Sequence, residues 1–409
     1  MKIRRAIFWI HLASGCVAGA AILFLSVTGC ILAYEKQIVA WQERGYHSAP
    51  PEAHPSSLSL DRLVEIATAT TGRRWSTVVV QADVSAPVEI DLGREQRLFL
   101  NRYTGAVLGG GAIRLRAFFD MVTGLHRWFG ASTENRPFMR TLQGSVDLAL
   151  LLLIVSGVYL WLPKRLHWQA LTAGAFLRPG LAGKARESNQ HNVLGFWLAF
   201  PIAVIAITGA ILAYGWATNL LFLATGSSLP PEPERTAIAA RHRSHQDAEP
   251  LPPQTSAGLQ QILENSERQA AGWRILRITR PNSEDRTMNV AIDFLDNSRP
   301  DQSVEMIFDR QTGAILKLNA FSSHSLGSKL RLFTRPIHTG SAGGLAGQTA
   351  AGITSLACCW LVWTGLSMSM RRFRGSAMFV RQVLRSESIN LTTQTTPDVY
   401  AGSADSQLN

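Results

Sequence analysis

Two histidines open matching stretches of this chain. Sixteen residues separate His11 from Thr28-Gly29-Cys30-Ile31-Leu32-Ala33-Tyr34, and sixteen separate His191 from Thr208-Gly209-Ala210-Ile211-Leu212-Ala213-Tyr214. Both intervals are almost wholly apolar. Each histidine therefore stands at one end of a candidate membrane helix, where an ionisable side chain carries a functional expectation. One imidazole repeated at one depth of two helices offers two ligands to a single metal centre. Each half holds a second histidine ahead of its other apolar stretch. His126 lies in Gly124-Leu-His-Arg-Trp-Phe-Gly130 and His338 in Arg335-Pro-Ile-His-Thr-Gly-Ser-Ala-Gly-Gly344.

Two histidines alone satisfy neither tetrahedral zinc nor octahedral iron. A porphyrin brings four equatorial nitrogens and asks the protein only for axial ligands, so two imidazoles and an apolar pocket suffice for haem. No Cys-x-x-Cys-His is present, so covalent c-type attachment is excluded. Small residues would admit the ring near the backbone: Gly15, Gly19 and Gly29; Gly195 and Gly209; Gly340, Gly343, Gly344 and Gly347. Arg4, Arg5, Arg127 and Arg335 stand near the histidines as candidate propionate contacts. A bis-histidine haem leaves no open iron position, which favours electron transfer over oxygen chemistry. The plain reading is that interfacial histidines and small residues serve helix packing. Identical spacing in both copies favours the ligand reading for His11 and His191. For His126 and His338 the spacing to the following helix differs, and the argument is weaker. His324 is a candidate substrate-side residue or alternative ligand. His242 and His245 fall in a Pro-rich linker and read as solvated loop, while His47, His54 and His167 read as surface residues.

Four stretches are long enough to cross a hydrocarbon core, near 10–34, 142–162, 193–216 and 345–369. The first is too long for a cleaved signal and reads as a retained anchor. Net charge is +11, but its placement argues against nucleic acid. Segments 1–9, 163–192 and 370–409 hold three, five and five Lys/Arg against four Asp/Glu, the mark of cytoplasmic flanks. Both termini are then cytoplasmic, and the two long intervening segments face the periplasm of a bacterial inner membrane. All four cysteines fall in the apolar stretches, so no disulfides are expected outside them.

Each half reads as helix, Pro-rich linker, small domain, histidine, helix. Amphipathic helices are expected near 58–71 and 256–271. Short strands follow at 76–83, 88–92 and 97–103, and at 274–280, 287–294 and 303–309. Matching turns, Asn101-Arg-Tyr-Thr-Gly105 and Asp309-Arg-Gln-Thr-Gly313, close the two units. Two crossings per half put both copies in the same orientation, a parallel repeat about an axis along the membrane normal. That axis would bring His11 to His191 and His126 to His338, two sites stacked across the bilayer.

These features together resemble the PepSY-associated transmembrane family of bacterial inner-membrane proteins, which includes ferric-siderophore reductases. The resemblance covers about residues 5–375. It is carried by His11 with Thr28-Gly29, by Leu125-His126-Arg127-Trp128 and by Ser156-Gly157-Val-Tyr-Leu-Trp161-Leu-Pro163. His338-Thr-Gly-Ser-Ala-Gly-Gly344, Thr364-Gly365 and the two Thr-Gly turns add to it. The resemblance implies b-type haem, two per chain, held by His11, His126, His191 and His338. It also implies PepSY domains in the periplasm and reduction of ferric siderophore there. Cys358-Cys359-Trp360 matches no role in the family.

The fold expected is an integral membrane α-helical protein, with four transmembrane helices as a parallel two-fold repeat and two small periplasmic α+β PepSY-like domains. In residues the plan is a cytoplasmic N-terminus (1–9), a first span (10–34), a PepSY-like domain (35–125), an interfacial segment (126–141) and a second span (142–162). A cytoplasmic loop (163–192), a third span (193–216), the linker with a second PepSY-like domain (217–337), a fourth span with its lead-in (338–369) and a cytoplasmic tail (370–409) complete it. The loop and tail are too short for a flavin or nicotinamide domain, so electrons would come from quinol or a separate cytoplasmic reductase. The partners expected are ferric siderophore, membrane lipid and that donor. Two other classes compete: a haem-free accessory or regulatory partner of a transporter or peptidase, and a transporter. Against transport, no acidic residue is embedded in a span except Asp147, at the edge of the second.

Overall fold

The computed structural model describes residues 2–49, 56–93, 96–165, 167–229, 258–281, 285–295 and 299–393. His54, His242, His245 and the Pro-rich linkers around them lie outside these. In chain order the helices are α1 (Lys2–Leu32), α2 (Glu35–Glu43), α3 (Leu60–Thr71), α4 (Ile113–Trp128), α5 (Arg136–Trp161) and α6 (Trp168–Ala175). They continue with α7 (Gly183–Ala213), α8 (Gly215–Ala224), α9 (Leu259–Gln269), α10 (Leu326–His338) and α11 (Gly344–Thr393). The strands are β1 (Thr77–Gln81), β2 (Val88–Asp91), β3 (Arg97–Leu100), β4 (Val107–Gly109), β5 (Ile275–Thr279), β6 (Thr287–Asp293), β7 (Ser303–Asp309) and β8 (Ile315–Ala320).

Four stretches are long and apolar enough to cross a membrane: Lys2–Glu43, Ile113–Trp161, Gly183–Ala213 and Ser341–Arg374. The chain is a multi-pass membrane protein. Its helices keep large side chains on their outer faces, as lipid-facing surface requires; Val17 is 86% exposed and Phe200 78%. Inside, α1 lies against α11 and α5, and α7 lies against α5 and α11. Ile22, Leu25, Val146, Ile202 and Cys358 form the centre of that bundle. Arg136 starts α5 with Pro137 in its first turn, where a missing N–H costs nothing. The helix therefore begins before the expected position 142, because residues 136–141 continue its turn rather than lying along the interface. Asp147 is thus well inside the helix rather than at its edge.

The strands correct a second expectation. Two separate modules were expected, but one antiparallel sheet runs in the order β4-β3-β2-β1-β5-β6-β7-β8. β1 pairs with β5 over five positions, from Thr77 opposite Thr279 to Gln81 opposite Ile275. Each module alone would leave that strand as an open edge with unpaired N–H and C=O groups; joining them removes both edges. Alternation in β1 and β5 sends Val78, Val80, Leu276 and Ile278 to one face, all at 2% exposure or less. α3 and α9 cover that face, and with the strand side chains they form one core shared by both halves. Each fully buried aliphatic chain there contributes roughly 1.5–3 kcal/mol.

The two helices also cap each other. Asp61 on α3 accepts the Leu259 N–H at 2.8 Å and the Gln260 N–H at 3.1 Å, and Gln260 accepts the Leu60 N–H at 3.2 Å. The paired turns form as expected. Asn101 and Asp309 accept backbone N–H groups two and three residues ahead, and Gly105 and Gly313 take φ of 71° and 69°. Those bonds hold the Asp309 carboxyl below its ordinary value, led by the Thr312 N–H. Past each turn the chain adds an edge strand, β4 or β8.

Candidate functional site

Each of the four histidines meets a helix hydroxyl through Nδ1. His11 on α1 meets Ser156 Oγ on α5 at 2.9 Å, and His126 on α4 meets Thr28 Oγ1 on α1 at 2.8 Å. His191 on α7 meets Thr364 Oγ1 on α11 at 2.9 Å, and His338 on α10 meets Thr208 Oγ1 on α7 at 3.1 Å. Every one of these hydroxyls also reaches the carbonyl four residues earlier in its own helix: Leu152, Phe24, Trp360 and Val204 at 2.6–2.9 Å. Such back-bonding uses the hydroxyl hydrogen. Its oxygen then has only a lone pair to offer, so Nδ1 must donate. His338 makes the point independently, since Nδ1 also lies 3.0 Å from the Ile205 carbonyl, which can only accept. With Nδ1 carrying the hydrogen, a neutral imidazole presents a bare lone pair at Nε2. A hydrogen bond at the far nitrogen that fixes tautomer and ring orientation is the usual support of a metal-ligating histidine.

The residue after each hydroxyl is glycine, and at three of the four sites the imidazole lies against it. A Cβ at Gly157 would stand 3.3 Å from His11 Cε1, one at Gly29 3.3 Å from His126 Cε1, and one at Gly365 3.3 Å from His191 Cε1. The fourth site departs. A Cβ at Gly209 would stand 2.7 Å from Asp147 Oδ2, so a carboxylate fills that space beside His338. Asp147 accepts from Gln143 Nε2 at 2.5 Å and is buried.

One pair of rings meets. The His126 and His338 centres are 6.4 Å apart with planes inclined at 58°. That spacing would let both imidazoles hold one metal between them. His11 lies within electrostatic reach of His191. Along α1, His11 and the Thr28 that holds His126 are separated by 17 residues, or roughly 25 Å of helix. The two pairs therefore sit near opposite ends of the bundle, with the Phe24–Phe129 stack and the central apolar cluster between them.

His126 and His338 open onto a cavity of ≈ 1380 Å³ that runs from the bundle centre to the sheet. Its deep wall is apolar and small (Ile22, Leu25, Gly29, Val146, Ile202, Gly209), while its mouth is rich in arginine. Among the described residues no three His, Cys, Asp or Glu side chains gather to hold a bare metal ion. The donor set is two imidazoles with ring centres 6.4 Å apart on the cavity lining, which fits a group such as a porphyrin that asks the protein for two imidazole ligands.

The remaining candidates divide. Arg127 and Arg335 line the cavity. Arg4 instead donates to the Leu160 and Leu162 carbonyls at the end of α5, and Arg5 is exposed. The α5 terminus has orphan carbonyls, and Arg4 satisfies two of them. His324 lies in the turn before α10, away from the cavity lining. Residues not singled out from sequence are Arg136, Arg140 and Gln143, spaced along α5, and Arg331 on α10; Asp147, also on α5, was weighed only as a transport residue. All five line the cavity. Four helical Ser/Thr-Gly pairs for four histidines was the readable signal for the hydroxyls.

A family model described as the PepSY-associated TM region matches residues 8–372. No curated protein matches the chain.

Proposed function

The chain belongs to the PepSY-associated TM region family, and from that premise we propose that it is a bacterial inner-membrane b-haem protein that reduces Fe(III)-siderophore in the periplasm. The observation that carries the reading is the set of four histidines, each fixed through Nδ1 to a Ser/Thr-Gly pair, with His126 and His338 6.4 Å apart. His11 with His191 would hold one haem, and His126 with His338 a second. When bound, such a group supplies one-electron chemistry without opening a coordination position.

The chain's own residues do the rest. Thr28, Ser156, Thr208 and Thr364 hold the tautomer, so Nε2 is ready without a rotamer search. Gly29, Gly157 and Gly365 let each imidazole close on the helix backbone. Ile22, Leu25, Val146 and Ile202 exclude water and keep the inner cavity low in dielectric. Basic loops at 1–9, 163–192 and beyond 370 support a cytoplasmic His11/His191 end and a periplasmic sheet. Quinol or a separate cytoplasmic reductase gives the electron; each Fe(III) that accepts one becomes Fe(II), which hard-oxygen chelators hold less tightly.

The test is stopped-flow reoxidation of chemically reduced, detergent-purified protein. Mixing with ferric siderophore should return the oxidised visible spectrum within the mixing series, with one Fe(II) captured by ferrozine per haem oxidised. Reduced protein that stays reduced against every ferric chelate would remove the reductase assignment.

A further inference from the structure

The mouth of the cavity carries more positive charge than the paired histidines need. Of the arginines on its lining, Arg97 is engaged by Glu89 and Arg116 by Glu43. The other five are Arg127, Arg136, Arg140, Arg331 and Arg335, and the lining holds four carboxylates outside those pairs: Glu35, Asp91, Asp120 and Asp147, of which Asp91 also reaches Arg97. Among the described residues the guanidinium groups of Arg331 and Arg335 make no hydrogen bond or ion pair, Arg335 lying within electrostatic reach of Glu35, and Arg136, stacked on Trp128, keeps a buried Nε without a hydrogen-bond partner. Arg331 also lies within electrostatic reach of Arg140, whose Nη2 caps the Leu212 carbonyl. Like charges held together at the edge of an apolar cavity repel unless an anion joins them.

The charge is placed on one side. Arg331, Arg335 and His338 recur at four and three residues on α10, one helical stripe leading to the imidazole. The equivalent stripe to His126 on α4 holds Phe119 and Thr123. Along α5 the stripe is Arg136, Arg140, Gln143, Asp147; the equivalent positions before Thr364 on α11 are Gly344, Gln348, Ala351 and Ser355. A group gripped evenly by the two histidines does not call for this asymmetry. The cavity of ≈ 1380 Å³ also exceeds the range of about 300–1,000 Å³ usual for one small molecule, so its mouth has room for a second ligand.

We propose that this mouth selects Fe(III) chelates of net negative charge, of the catecholate or hydroxycarboxylate class, through Arg136, Arg331 and Arg335. The proposal rests on the ferric-chelate reading above and narrows it. Oxyanions around the iron meet guanidinium donors in the fork geometry that suits them, and neutral or cationic hydroxamate chelates gain nothing there. Haem propionates share this oxyanion chemistry, so the test must separate the two sources.

Gallium(III) has the charge and coordination of Fe(III) but is not reduced under these conditions, so it reports binding without electron transfer. The full-length protein in detergent is titrated with Ga(III) tris-catecholate, which is trianionic, and with Ga(III) desferrioxamine B, which is cationic. The catecholate should bind at least about tenfold more tightly, with a preference that shrinks as salt rises. R331Q and R335Q should each lower its affinity about tenfold, as loss of a charge-assisted bond does, while R331K retains most of it and haem per chain is unchanged. Equal binding of both chelates overturns the proposal. So does normal catecholate binding by variants that lose haem, which would assign the arginines to propionates. Charge-selective gallium binding with no electron transfer to the Fe(III) counterpart would keep this site and sink the reductase reading instead.

Discussion

At the scale of single residues the account turns on a hydrogen atom. Because Thr28, Ser156, Thr208 and Thr364 spend their own hydrogens on backbone carbonyls, each partner imidazole must donate from Nδ1. Removing one hydroxyl without changing shape should therefore damage ligation while leaving the fold intact. Thr28→Val is expected to weaken retention of the haem at the His126 site by about 10- to 100-fold, and Thr28→Ser to restore it. Haem per chain after size exclusion in rising detergent checks this. A second residue-level expectation concerns space: Gly29→Leu must push His126 off its helix, since even a Cβ would stand 3.3 Å from the ring. That variant should lose the same haem as His126→Ala and keep the other. His11 and His191 were legible from spacing, while His126 and His338 rested on the family resemblance. The Ser/Thr-Gly pairs were readable, but not which histidine each would meet, because Ser156 meets His11 across 145 residues and no local pattern joins them. Arg331 escaped, and Asp147 was read only as an edge residue, for a different reason: a lone charge near a span reads as a snorkelling or edge residue until its direction is known.

Elements tell a similar story. Strand positions in both halves and the Asx-Thr-Gly turns followed from alternation and turn chemistry, which are local. The β1–β5 seam did not, since it pairs segments about 200 residues apart and either strand alone reads as a plausible edge. The seam should matter to stability more than any exposed strand. Ile278 is fully buried at it, so Ile278→Ala should cost about 2–5 kcal/mol. Leu316 on the edge strand β8 is 57% exposed, and Leu316→Ala should change little. Thermal unfolding of the two variants in detergent compares them directly; equal losses would mean the seam does not bind the halves together. The start of α5 was misplaced for a local reason. Residues 136–141 are polar enough to end a hydropathy window but still continue the helix from Pro137.

Over the whole molecule, the arrangement is a membrane bundle roofed by a sheet, with a cavity between them that ends on His126 and His338. The proposed direction of electron flow requires the roof to be periplasmic. In a variant with all native cysteines replaced, Thr104→Cys should react with a membrane-impermeant maleimide added to spheroplasts, and Lys164→Cys only after lysis. The reverse pattern would invert the protein and with it the assignment of siderophore to the arginine-rich mouth.

The most direct test of the central claim is haem per chain, read from the reduced-minus-oxidised spectrum of the purified protein and its four His→Ala variants. The account predicts about two haems per chain, with a sharp reduced α-band. H126A and H338A should each remove one and the same species, and H11A and H191A the other. Protein free of haem after expression with ample supply, or losses that cross between the pairs, would contradict it.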